Sequence, residues 1–248
     1  MIASLQAQLL FPTGAVAPAG PLPKGAQQVR TRSADGDLLQ GVHIPGGTGG
    51  ETTLILGFGG NAWNGSDVAT YLHELYPEHD IVAFHYRGYR PSQGTPSADA
   101  LMADAPLVHD FAVGLVKPKR TIVAGYSIGS GVAASLAARR NVDGLILVTP
   151  FDSLKAAASD LYPWLPIGPL FAHEINAAAL LKGNIVPVAI VAGERDSLIL
   201  PKRTDALRRQ VRSLAYDRTI AGAGHNDIYT RSDFHQAMRE ALDALISE

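Results

Sequence analysis

Short apolar runs recur along this chain with helix-length stretches between them. Thr52 to Phe58, Ile81 to Phe84, Ile122 to Ala124, Leu145 to Val148 and Val188 to Ala192 carry no charge. Strands buried on both faces of a parallel sheet have that composition. Intervening segments of about ten to fifteen residues with helical patterning place the helices of a doubly wound sheet between them. The helices expected are Val68 to Leu75, with Asp67 near its start, Gly129 to about Arg140, Lys202 to Val211, and the amphipathic Ser232 to Ile246. Thr95 and Pro96 read as N-cap and first residue of another, running to about Val116 with Pro106 breaking or kinking it. Strands at both ends complete the pattern: a hairpin over Gln28 to Ile44 about Asp35-Gly36-Asp37, and Leu214 to Ile220. The expectation is an α/β fold with a mostly parallel central sheet and helices on both faces. Such sheets bind and react at the carboxyl ends of their strands.

A chain of 248 residues fits a single domain of this architecture. Net charge is -2 and no lysine or arginine block occurs, which argues against a nucleic-acid partner. Cysteine is absent, so disulfides, thiol nucleophiles and thiolate metal sites are excluded together. A reducing compartment suits that composition, and a cytoplasmic protein is expected. Met1 to Phe11 is apolar, but Gln6 and Gln8 interrupt it, it lacks a basic lead, and it is too short to span a bilayer. Ala15-Val16-Ala17 resembles a processing site only loosely, which leaves secretion as the alternative.

Chemistry concentrates at Gly125-Tyr126-Ser127-Ile128-Gly129. An apolar strand precedes this pentapeptide and a small-residue helix follows it. A serine on such a strand–turn–helix elbow stands above the sheet at the positive end of the helix. To act as a nucleophile it needs a base, and the base needs an orienting acid. His225, in Ala223-Gly224-His225-Asn226-Asp227 after the last strand, is the base candidate among eight histidines. Asp196, in Gly193-Glu194-Arg195-Asp196 after Val188 to Ala192, is the acid candidate; Glu194 and Asp152 are the rivals. The order Ser127, Asp196, His225 is the one this geometry requires. Backbone N–H groups of Ile128 and Asn61 are the oxyanion-hole candidates, the latter in Gly59-Gly60-Asn61-Ala62. His85 reads as a packed strand-end residue, and Arg87 as structural, with anion recognition as its alternative role. Asp227 is expected to bind amides at the start of the last helix. The glycines after Leu56 lack dinucleotide-binding spacing, and the histidines are scattered, so neither a cofactor nor a metal is expected.

Between Ser153 and Asn184 the strand–helix alternation stops. The stretch from Leu161 to Phe171 is apolar, aromatic and stiffened by Pro163, Pro166 and Pro169. A small cap over 153–184 that walls a substrate pocket is the functional expectation; a buried helical connection is the plain one. Tyr126, Trp164 and Phe171 are the candidate pocket residues.

These motifs, with Tyr86-Arg87-Gly88-Tyr89, Pro150-Phe151-Asp152-Ser153 and Gly222 to Asp227, run in order over about residues 30–245. The chain thereby resembles the alpha/beta-hydrolase superfamily, and within it serine hydrolases of the ABHD13/BEM46-like group. The resemblance implies Ser127 as nucleophile, Asp196 as acid and His225 as base. Substrates of such relatives include acyl esters, thioesters and peptides; the leading expectation is a carboxylic ester, with a thioester or peptide as alternatives, and a noncatalytic binding protein on the same scaffold is the reading from a different class. Relatives usually carry His-Gly-Asn-Ala where this chain has Gly59-Gly60-Asn61-Ala62. Arg90 and Pro91 also replace the usual continuation after Tyr89, altering the pocket rim. Many relatives have a membrane-spanning helix before a segment like Leu10-Phe11-Pro12. This chain starts almost there, so no anchor is expected, and the partner is a small-molecule acyl substrate.

Overall fold

The apolar runs become strands of one sheet. The computed structural model describes residues 2–47, 52–163 and 171–247. Helix α1 (Ile2–Leu10) leads to the hairpin β1 (Gln27–Arg32) and β2 (Leu38–Ile44). Then come β3 (Thr53–Phe58), α2 (Gly65–Leu75), β4 (Asp80–Phe84), α3 (Ala98–Val116), β5 (Arg120–Tyr126) and α4 (Ile128–Ala137). The second half holds β6 (Gly144–Val148), α5 (Leu154–Leu161), α6 (Ala177–Leu181), β7 (Val188–Gly193), α7 (Pro201–Arg208), β8 (Leu214–Ile220) and α8 (Ser232–Ile246). The strand order is β1-β2-β4-β3-β5-β6-β7-β8. The pairs β1–β2 and β2–β4 are antiparallel, and every pair from β4 to β8 is parallel.

Alternation along the strands divides the core into two layers. Leu54, Leu56, Val123, Leu145 and Leu147 face the layer that also holds residues of α3, α4, α5 and α6. Ile55, Ile122, Ala124, Ile146 and Val148 face the layer that holds α2 and α8. Small residues let α4 lie close: a Cβ on Gly131 would stand 2.7 Å from Ile175 and 2.9 Å from Phe151.

Several boundaries differ from the sequence expectation, and α3 shows why. Ser97, not Thr95, caps α3; its Oγ accepts the Ala100 N–H at 3.0 Å. Pro96 belongs to the preceding loop, where it packs against Gly88, whose φ of 78° favours glycine. Pro106 does not break α3, which continues through it. Proline lacks an N–H, so the Met102 carbonyl one turn back loses its helical donor. Arg139 supplies a replacement, donating to that oxygen at 3.0 Å.

Arg87 is buried and structural. It donates to both carboxylate oxygens of Asp104, at 2.9 and 2.5 Å, and to Asp35. The Asp104 hydrogen bonds hold its pKa above its ordinary range. This arginine therefore ties the β4 exit to α3 and to the hairpin loop. The contacts of α1 and of Phe11 just after it include two with residues 172 and 173. Gln6 accepts the Ala172 N–H at 3.0 Å, and the Phe11 ring meets His173 edge-on at 5.4 Å. Among the described residues no helix is long and apolar enough to cross a membrane.

Candidate active site

Ser127 occupies the sharp turn between β5 and α4. Its φ and ψ are 51° and −116°, a sparsely populated region that costs about 1–3 kcal/mol for a non-glycine residue. Neighbouring glycines make the turn sterically feasible. A Cβ on Gly125 would collide with the Gly129 carbonyl oxygen, and one on Gly129 with that of Phe58. The turn is fastened on both sides. The Ser127 N–H donates to Val148 at 2.9 Å, while Ser130 returns its N–H and Oγ to the Ser127 carbonyl at 2.9 and 2.6 Å.

The loop after β8 brings His225 to this elbow. Its Nε2 lies 3.0 Å from Ser127 Oγ, and its Nδ1 lies 2.7 Å from Asp196 Oδ2. Asp196 is buried at the end of β7, where its Oδ1 accepts the N–H groups of Leu198 and Ile199 at 2.9 and 2.8 Å. An ionised carboxylate only accepts. Nδ1 therefore carries the proton, and Nε2 presents a lone pair to the serine hydroxyl. Three groups remote in sequence thus form one hydrogen-bonded line.

The rival acids are occupied elsewhere. Glu194 accepts the Gly222 N–H at 2.7 Å. Asp152 receives Arg203 at 3.4 Å. Contrary to the expectation from sequence, Asp227 does not bind amides at the start of the last helix; its Oδ1 accepts the Gly224 N–H at 2.8 Å and closes the histidine turn. His85 is buried, takes the Gly65 N–H on Nδ1 at 3.2 Å and lies 3.1 Å from Ser66 Oγ. Burial lowers its pKa to about 4.

The turn from Gly59 to Asn61 runs beside the serine: a Cβ on Gly60 would be 3.7 Å from the Ser127 Cβ. Two tyrosines of the Tyr86-Arg87-Gly88-Tyr89 segment hold this turn. Tyr86 donates to the Gly59 carbonyl at 2.8 Å, and Tyr89 to Asn61 Oδ1 at 2.6 Å. Burial pushes the Tyr89 hydroxyl up to about 12, so it remains a donor. Ile128 opens α4, where the first amides have no intrahelical acceptor.

Two concavities meet at Ser127, and both include Asn61 and Leu198. One, of about 560 Å³, is walled by Trp63, Tyr71, His225, Asn226, Tyr229 and Thr230. The other, of about 190 Å³, is an apolar trough between Ile128, Phe151, Leu154, Ala157, Leu161 and Tyr162 of the core side and Leu9 and Leu10 of α1. A third space, of about 790 Å³, lies under residues 13–19 and is lined by Ser66, His85 and Arg90, without Ser127. Among the described residues no group of three His, Cys, Asp or Glu side chains could hold a metal.

The expected pocket residues fare differently. Tyr126 is fully buried, because β5 turns it under the wall, where its ring meets Trp63 at 5.3 Å and Tyr71 at 6.1 Å. Phe171 packs on the core outside the linings of both concavities at Ser127. Trp164 lies outside the described residues. The true aromatic wall, Trp63, Tyr71 and Tyr229, escaped the sequence reading. Proximity to Asn61 and His225 was the available signal for Trp63 and Tyr229; Tyr71 had none. The contribution of α1 had no local signal either.

Comparisons with known proteins follow this geometry. Residues 44–176 match the family described as alpha/beta hydrolase fold. An uncharacterized protein of Mycobacterium tuberculosis is 32% identical over 220 residues, covering 84% of this chain and 78% of its own. Lysophosphatidylserine lipase ABHD12 of Danio rerio is 30% identical over 185 residues, covering 65% of this chain and 48% of its own. A solved esterase of Pyrococcus furiosus superposes with a TM-score of 0.71 at 18% identity, covering 92% of this chain and 96% of that one.

Proposed function

Because the chain belongs to the alpha/beta-hydrolase-fold family, we propose that it is a serine hydrolase cleaving carboxylic esters of small to medium apolar acids. The hydrogen-bonded line from Ser127 through His225 to Asp196 carries this reading. Ser127 Oγ attacks the acyl carbon while His225 Nε2 takes its proton. Asp196 holds the imidazole in the productive tautomer and stabilises the imidazolium. N–H groups of Asn61 and Ile128 receive the charge that develops on the carbonyl oxygen. His225 returns the proton to the departing oxygen as the ester C–O bond breaks. Water then repeats the sequence on the acyl-enzyme: its proton passes to Nε2, its oxygen joins the acyl carbon, and Ser127 is released with its hydroxyl restored.

The ordered motif set supports a place near the ABHD13/BEM46-like group, and the cysteine-free composition supports a cytoplasmic setting. The segment 153–184 acts in this reading as a small cap, since α5 supplies one wall of the trough. A fluorophosphonate probe tests the core of the proposal. Peptide mass analysis should find Ser127 phosphonylated, and Ser127→Ala should abolish both labelling and ester turnover. Labelling confined to another serine in folded, active protein overturns it.

A further inference from the structure

We infer that the two concavities at Ser127 divide the substrate into a neutral, aromatic alcohol and an unbranched acyl chain of about six carbons. The inference rests on the hydrolase reading and adds the substrate class to it. The direction of the division comes from proton transfer. His225 Nε2 must reach the oxygen that leaves, so the leaving group lies on the histidine side of the serine. His225 lines the concavity of about 560 Å³ and is absent from the trough. Ile128, whose N–H faces the carbonyl oxygen in the proposed mechanism, lines the trough instead. The larger space therefore receives the alcohol and the trough receives the acyl chain.

The walls then state the chemistry. The alcohol side presents the rings of Trp63, Tyr71 and Tyr229, which pack mutually at 5.4 to 6.4 Å. Aromatic rings favour such edge and tilted contacts with a further ring. Apart from His225, this wall has no acid, lysine or arginine among the described residues. Tyr229, pushed by burial up to about 12, stays uncharged. A phosphate or carboxylate on the alcohol would lose hydration there without a counter-charge. On the acyl side every described lining residue except Asn61, Ser127 and Tyr162 is apolar. An apolar cavity of about 150 Å³ holds a six-carbon ring, so the 190 Å³ of the trough admits an acyl chain of about that size. Leu9 and Leu10 of α1 line the trough together with Leu154, Ala157 and Leu161 of α5.

A two-way ester series tests this. Acyl length is varied from acetyl to dodecanoyl on benzyl alcohol. Hexanoyl is also carried on benzyl alcohol and on glycerol 3-phosphate. The expected kcat/KM peaks near hexanoyl, and the benzyl ester exceeds the phosphate-bearing one by at least about tenfold. Two variants separate the axes. Ala157→Leu should move the acyl optimum to shorter chains while keeping the benzyl preference. Trp63→Ala should reduce the benzyl preference about tenfold while keeping the acyl optimum. Equal rates on the two alcohols, an optimum at decanoyl or longer, or exchange of the variant effects overturns the inference. Fluorophosphonate labelling of Ser127 in the same preparations keeps the cases apart. Labelled enzyme with the wrong profile overturns the division alone, and unlabelled Ser127 overturns the hydrolase reading with it.

Discussion

Asp196 accepts from two backbone amides and from His225, and it has no cationic partner among the described residues. Its carboxylate is therefore set by the β7 exit and turned wholly toward the imidazole. Asparagine would keep that shape, but could offer an N–H to Nδ1 and favour the wrong tautomer. Asp196→Asn should lower kcat by about two to four orders of magnitude, with little change in melting temperature. Glu194→Gln should leave turnover nearly intact, because that side chain only meets an exposed amide. Comparison of kcat for the two variants checks both; a crippled Glu194→Gln enzyme would reassign the acid. A different residue sets acid stability. His85 is buried with a pKa lowered to about 4, against about 6.5 in an unfolded chain. As pH falls the unfolded state binds the proton first, so folding loses free energy between those values and no more below them. The loss is about 3 kcal/mol at most. Urea midpoints measured from neutral to acidic pH should show this slope, and His85→Gln should flatten it relative to wild type.

At the scale of elements, the turn after β3 is useful only if it stays put beside Ser127. Tyr86 and Tyr89 hold it from the β4 exit, while Arg87 between them anchors that exit to α3. Tyr89 acts as a positioning residue. Tyr89→Phe should lower kcat about fivefold at nearly constant KM, since one donor bond worth about 1 kcal/mol is lost from the turn proposed to carry an oxyanion donor. An equal loss in KM, or none in kcat, would show that the bond serves folding alone. The elements themselves were largely legible in sequence. Parallel strands announce themselves by uncharged runs such as Leu145 to Val148, and α8 by its apolar stripe. The start of α3 differs from the expectation because Thr95-Pro96 and Ser97 are both good local starts, and the Ser97 side chain is the one that caps the Ala100 N–H. Ser127, Asp196 and His225 were legible as a set because each follows a strand. The pocket walls were not, because Trp63 joins Tyr229 in one wall, and Leu10 joins Leu154 in the other, only through tertiary structure.

Viewed as a whole molecule, the sheet ends in strands that discourage pairing with a neighbour. The exposed edges β1 and β8 carry Arg30 and Arg32, and Asp217 and Arg218. Such charges protect an edge from adding further strands. The serine and aspartate hang from the interior strands β5 and β7, and the histidine from the loop after the edge strand β8. The trough is built differently. One of its sides includes Leu9 and Leu10 of α1, an element outside the sheet whose contacts with residues 172 and 173 include a hydrogen bond and a ring contact. Elements outside the central sheet can open before the global transition. Mild denaturant should therefore make this enzyme promiscuous before making it inactive. In low urea, with circular dichroism still native, the hexanoyl-to-acetyl rate ratio should fall while acetyl turnover persists. Fidelity toward the acyl chain would then be the first property that stress removes, and the chemistry the last.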